Sequence, residues 1–243
     1  MTVWSPDRRF YWDGLEWRPA VSPDGEWLWN GAVWERIRPA LAPYRSPLML
    51  QVCVLVLLGL NIAAALVQTF VLDYYFWLTW SWGERELVYN ISVIGLLIFA
   101  VTAGVFLIWF ERVYRNLSAL GVGDLDPTPA WAVGWWFVPV ACFWKPYRTA
   151  TELLMRSEVA SRRRLGDSML VDAWWSAWVI SLILANVAAV LADPDALFDL
   201  WFLASGATTV LAAILAMIFV TLVSGKQHDR WHELSAAAEA AKI

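Results

Sequence analysis

The fourteen residues WAVGWWFVPVACFW, from Trp131 to Trp144, decide how this chain is folded, because they determine whether it crosses a membrane four times or five. They are apolar throughout but hold Gly134 and Pro139. At 1.5 Å per residue a helix of that length reaches about 21 Å, short of the roughly 30 Å hydrocarbon core of a bilayer. Thr128 and Pro129 just ahead form an N-cap and first-turn pair, so the stretch still reads as helical. Its path follows from the basic residues. Six Lys or Arg precede residue 48, one lies in 73–87, two in 111–130, six in 145–172, none in 192–196 and three beyond 223. If the short segment enters and leaves on one side, seventeen fall on one face of the membrane and one on the other; if it crosses, the division is eight to ten. Basic residues accumulate on the cytoplasmic side. Trp131–Trp144 is therefore expected to be a re-entrant or interfacial helix on that side, with its backbone buried against the spans.

Outward from this segment, four runs are long enough to span: Leu48 to Leu72, Val88 to Phe110, Ala173 to Leu191 and Leu197 to Val223, with Asp199 the single charge among them. Composition agrees, since 60% of the 243 residues are hydrophobic, 16% are charged and the mean hydropathy is +0.51. An ordinary soluble domain is about 25% charged. The net charge of −4 and the scattered basic residues exclude a nucleic-acid partner. Cys53 and Cys142 sit in apolar runs and read as small buried hydrophobes. Met1 to Arg9 has two arginines but no apolar core after them, so the first span is expected to target the chain. The fold class is an all-α membrane protein with four transmembrane helices and one short re-entrant or interfacial helix, preceded by a small antiparallel β module. The divisions are 1–40 for the module, 46–225 for the transmembrane domain with the re-entrant segment at 129–144, and 226–243 for a cytosolic tail helix. Both termini are expected in the cytoplasm and the bilayer is the plasma membrane.

Residues 1–40 repeat with a period of 17: Ser5, Pro6, Asp7, Trp12, Asp13, Gly14 and Trp17 recur as Ser22, Pro23, Asp24, Trp29, Asn30, Gly31 and Trp34. Asp13-Gly14 and Asn30-Gly31 are the dipeptides of a type I′ turn, so each unit reads as a β-hairpin. Pairing Trp12 with Leu15 puts Phe10 opposite Trp17, and in the second unit Trp27 meets Trp34, which gives each hairpin one aromatic face. A lone hairpin is marginal in water. The two faces are expected to pack together or rest on the membrane, or else to bind a peptide partner through exposed Trp. The units resemble the short Trp-Asp-Gly repeats appended to many bacterial membrane proteins.

The most patterned stretch is Glu111 to Glu152. One span ends in Glu111, Arg112, Val113, Tyr114, Arg115 and Asn116; the short helix then leads through Trp131, Trp135, Trp136 and Pro139 to Lys145-Pro146-Tyr147-Arg148. Arg-x-x-x-Asn at a helix end, Trp-x-x-x-Trp-x-x-Pro and a basic residue before Pro-Tyr together resemble the bacterial membrane family catalogued as domain of unknown function 4328. The resemblance runs from about Ser46 to the last span and implies a membrane fold, with no activity attached to it.

Arg112, Arg115 and Asn116 are spaced to share one helix face, and Glu111 is placed to pair with Arg115. Lys145, Arg148 and Glu152 form a matching stripe. These charges either anchor helix ends and pair with Glu111, Asp124, Asp126 and Glu152, or line a cytoplasmic mouth for an anionic lipid or phosphate-bearing ligand. In the second reading Arg112, Arg115, Asn116, Lys145, Tyr147 and Arg148 hold the anion, and Trp135 and Trp136 seat an apolar tail. His228 and His232 are a weak metal pair and read as part of an exposed tail helix. Arg162-Arg163-Arg164 is a topology signal. Gln51, Asn61, Gln68, Thr102 and Asn186 are polar at depth and suit interhelical bonds beside Gly59, Ala63, Gly104, Ala212 and Ala216.

No Ser-His-Asp, metal or phosphate-loop pattern is present, so an enzyme is not expected and no cofactor is implied. The spans hold no ionisable pathway residue or repeated broken helix of an ion-coupled transporter. A membrane scaffold or sensor whose hairpin module recruits a protein partner is the preferred function. The alternatives are a pore assembled from several copies, a transporter-like protein, or an anionic-lipid-binding protein.

Overall fold

The computed structural model of the chain describes residues 3–5, 10–23, 27–36, 43–72, 82–123, 125–158, 165–191 and 200–240. Asp124, Arg162–Arg164, Pro194 and Asp199 lie outside the described residues. Met1–Ala42 and Pro43–Ile243 form two compact units.

Among the described residues the first unit holds five short strands in two antiparallel sheets. β1 (Val3–Trp4), β2 (Phe10–Trp12) and β3 (Trp17–Pro19) pair in the order β1-β2-β3, and β4 (Trp27–Trp29) pairs with β5 (Trp34–Arg36). Trp17 and Trp34 occupy equivalent positions, as the repeat requires, but the register differs from the expected one by two residues: Trp12 faces Trp17, and Trp29 faces Trp34. The cause is the side chain of the turn residue. Asp13 Oδ1 accepts the Leu15 and Glu16 N–H groups at 2.9 Å each, and Asn30 Oδ1 does the same for Ala32 and Val33. That widens the loop to four residues in which only the glycines, Gly14 at φ 104° and Gly31 at φ 103°, are left-handed, so the turn is not type I′. The aromatic faces do not close on each other either. Trp29 stacks on Tyr11, from the opposite side of the first hairpin, at 5.5 Å, while Phe10, Trp12, Trp17, Trp27 and Trp34 stay exposed.

The second unit is helical: α1 (Leu48–Leu66, continuing as a π turn over Val67–Leu72), α2 (Trp82–Ala119), α3 (Pro129–Gly134), α4 (Lys145–Arg156), α5 (Leu165–Leu191) and α6 (Leu200–Ala240). Four of them, α1, α2, α5 and α6, are long and apolar enough to cross a membrane. α6 packs on α5 and α1, and α2 packs on α1. Two of these helices outrun their apolar stretches. α2 continues past Phe110 because Val113, Tyr114 and Leu117 extend its buried stripe, and it stops at Gly121, whose φ of 79° lets Val122 N–H reach back to Leu117 O at 3.0 Å. α6 continues through Phe219, Val223 and Gln227 to Ala240, so the tail is not a separate helix but the end of the last span.

The short segment is more broken than one helix over 129–144. α3 has six residues, Trp135–Phe137 is a 3-10 turn, and Ala141–Phe143 is another. Between them Val138 is extended, as a residue before proline must be, and Val140 has φ 68°, costly for a β-branched side chain. Thr128 occupies the cap position, yet its side chain makes no capping bond.

Close approach uses other glycines than those expected. Gly59 and Gly104 face open space, whereas Gly95 lies under Gln68 and Gly206 under Thr69, so α1 meets α2 and α6 where neither partner has a Cβ. Asn61 Nδ2 reaches Thr102 Oγ1 at 2.5 Å, which is the expected interhelical bond, but Asn186 bonds its own helix at Leu182 O. Cys53 is exposed on the outer surface of α1 and not buried.

Candidate functional site

Of the eight residues of the expected mouth, Lys145 meets Trp135, and Tyr147 and Arg148 share a cleft. Asn116 is buried, and its side-chain amide embraces the backbone of Arg45: Nδ2 donates to Arg45 O at 2.9 Å and Oδ1 accepts Arg45 N–H at 3.2 Å. Arg115 points to the exposed face and pairs with Glu111, as their spacing suggested. Trp136 lies in the aromatic core. Lys145 Nζ sits 4.9 Å above the Trp135 ring, and Trp135 in turn packs on Trp131 at 4.9 Å. Tyr147 donates to Asp172 Oδ1 at 2.6 Å, a bond that raises its phenol above the ordinary range. Arg148 lines a shallow cleft of about 360 Å³ along α4 with Tyr147, Thr151, Glu152, Met155 and Arg156. Glu152 pairs with Arg156 at 2.9 Å; burial still raises its carboxyl above the usual range, with Asp126 adding to the rise. Arg112 and Arg148 make no ion pair among the described residues, and Glu111 and Glu152 pair instead with Arg115 and Arg156.

What the sequence reading missed is a polar knot beneath the spans. Gln227, fully buried on α6, donates to Val113 O at 2.8 Å and to Ser157 Oγ at 3.1 Å, and accepts from Asn116 at 3.4 Å. Arg230, one turn on, donates to Arg156 O at 2.6 Å and Leu120 O at 2.7 Å, the exposed carbonyl ends of α4 and α2. Lys226 bridges Glu158 and Asp167, and Tyr44 stacks on Trp231 at 4.9 Å. Residues 43–47 are thereby fastened to α2 and α6 at two points. A signal existed: Gln227 and Arg230 continue the stripe of Phe219 and Val223 at helical spacing, so a polar residue there must be buried and partnered.

A second feature lies above the knot. The 3-10 turn after α3 inserts Trp136 between α2 and α5, with Phe106 at 5.8 Å and Phe110 at 6.2 Å on one side, and Trp175 at 5.7 Å and Trp178 at 5.9 Å on the other. These rings meet edge to face. Beyond the wedge, toward Gln68 and Ala185, the four long helices line a cavity of about 500 Å³. Its floor is Phe106, Trp136, Trp174 and Trp178, and among the described residues no charged side chain lines it.

Comparison with known proteins adds one finding. The family described as "Domain of unknown function (DUF4328)" matches residues 78–227, from ahead of α2 to Gln227 in the knot. The match begins after α1, later than the sequence resemblance suggested. No curated protein and no solved structure matches the chain.

Proposed function

The chain belongs to the DUF4328 family, and from that premise and the way its linker is held we propose that it is a membrane scaffold or sensor, not an enzyme, whose N-terminal hairpin unit recruits a protein partner. The observation that carries this reading is the double fastening of residues 43–47: the Asn116 amide on the Arg45 backbone and the Tyr44 ring on Trp231. The segment that follows the hairpin unit is thus tied to the ends of two spans, and a change in how those spans pack is passed to it directly. The protein sits in the plasma membrane with both ends in the cytoplasm, as the basic residues favour.

Co-purification tests the recruitment. Full-length chain is compared with chain carrying Gly14→Val and Gly31→Val, which cannot hold the two left-handed turn positions. A partner retained by the first and lost by the second, with unchanged unfolding of the bundle, is the expected result. A partner bound equally by both removes the hairpins from recruitment.

A second reading rests on Arg112 and Arg148, which make no ion pair among the described residues, and on Lys145, which sits over the Trp135 ring. It makes this surface an anionic-lipid contact. Changing Arg112 and Arg148 to Glu then abolishes co-purifying anionic lipid and leaves the bundle folded. Loss of folding that is rescued by reversing Glu111 and Glu152 instead makes the cluster structural.

A further inference from the structure

We propose that the cavity between the four spans is a binding site for one hydrocarbon tail of a bilayer lipid, which passes sideways between α2 and α5 and rests on the floor formed by Phe106, Trp136, Trp174 and Trp178. This goes beyond the scaffold reading and stands whether or not the hairpins recruit a partner.

The opening is the first argument. Around the bundle α5 packs on α6, α6 on α1 and α1 on α2, whereas α2 and α5 meet only at the floor, where Phe106 lies 5.9 Å from Trp174. Trp136 fills the floor between Phe106 and Trp175, and above it the rim residues are exposed: Leu96 at 65% and Phe99 at 47% on α2, and Leu182 at 37% on α5. At the back of the cavity Ala212, Ala213 and Ala216 of α6 are buried. In a protein whose four long helices contact the bilayer, a slot between two spans opens onto hydrocarbon, and what reaches it is a lipid chain.

The lining is the second. Small side chains at Ala64, Ala65, Ala103, Ala185 and Ala213 leave the space, and the polar ones are largely committed. Asn61 donates to Leu57 O and to Thr102, Thr102 to Ile98 O, Ser181 to Trp178 O and Thr209 to Ser205 O. With no charge among its described lining residues and few free donors the site cannot replace the hydration shell of an ion, which would need several partners at once. It can replace the neighbours of a hydrocarbon chain, because contact with alanine and aromatic carbon is what such a chain has in the bilayer. A volume of about 500 Å³ falls within the ~300–1,000 Å³ of ligand pockets. Gln68, at the end of the cavity away from Trp136, has a side-chain amide without a partner among the described residues, where the ester linkage of the chain would lie.

The experiment uses the full chain in phosphatidylcholine vesicles doped with a phosphatidylcholine whose acyl chain carries a diazirine. After irradiation, adducts are mapped by mass spectrometry. Outward residues of α6 such as Leu211, Ile214 and Ile218 are labelled by surrounding lipid in any case. The proposal expects adducts also on Ala212 and Ala216, and their disappearance in Ala213→Phe while the outward adducts persist. Should that variant not fold, Ala185→Phe obstructs the same space from α5 and carries the same expectation. Wild-type labelling confined to outward residues overturns the proposal. So does modification of Ala213→Cys by a membrane-impermeant charged thiol reagent, which would make the cavity a water-filled pathway.

Discussion

At the scale of single residues the buried amides matter more than the visible charges. Asn116 was singled out from its spacing with Arg112 and Arg115, and its position just below a span was legible. Its partner was not, because Arg45 offers a backbone N–H and C=O that carry no sequence signature, and the bond crosses 71 residues. Asn116→Leu leaves those two groups and Gln227 without their partner, a loss of about 1–3 kcal/mol for buried unsatisfied groups. Denaturation should register that loss together with faster proteolysis ahead of α1; unchanged proteolysis would show that the clamp does not hold the linker. Glu152 makes a different test, through pH. Burial raises its carboxyl, so the folded state binds the proton more tightly than the unfolded one. The stability it contributes is present below the ordinary carboxylate range and is lost as pH rises through the raised folded value. Relative to Glu152→Gln, the native chain should therefore gain stability as pH falls from neutrality through that range. A relative loss on acidification would mean that the Arg156 pair outweighs burial. Partial exposure keeps the size of the effect small.

Elements were legible where their period was long and lost where one side chain set the geometry. The four long helices follow from apolar runs of more than eighteen residues, and the hairpins follow from the 17-residue repeat. Their register slipped by two because the Asp13 and Asn30 side chains take over the turn, a local competition that the Asp-Gly and Asn-Gly dipeptides conceal. The Trp131–Trp144 segment shows the same limit. Its shortness was readable and so was its break at Pro139, but not its function as a wedge, since which of four tryptophans enters the core depends on the turn geometry on either side. Trp136→Ala should destabilise the bundle by about 3–5 kcal/mol, the cost of deleting a packed aromatic. Trp131→Ala, at a residue that is 52% exposed, should cost far less. Equal losses in an unfolding titration would contradict the assignment of the wedge to Trp136.

At the scale of the molecule the sequence reading and the structure bear on different coordinates, and one prediction joins them. Helix lengths say how many times the chain crosses, whereas the seventeen-to-one division of Lys and Arg says which way it faces. The structure contributes the connection between the two. α4, with Lys145, Arg148 and Arg156, packs on α5 and on α2, and the knot joins the ends of α2, α4 and α6 to residue 45. These groups share one end of the bundle, the arrangement that a re-entrant path for α3 and its turns requires. If the chain crossed at Trp131–Trp144, Arg230 and the carbonyl of Leu120 that it caps at 2.7 Å would lie on opposite sides of the bilayer. Reporters placed after Arg45, Arg164 and Ile243 should accordingly read cytoplasmic, and those inserted near Glu84 and Pro194 external. The informative pair is Arg164 with Ile243. Both external, with Arg45 cytoplasmic, would mean five crossings, and then neither the knot nor the linker clamp could exist as described. Both cytoplasmic fixes the cavity in the half of the bundle facing away from the cytoplasm, so its occupant is drawn from the outer leaflet.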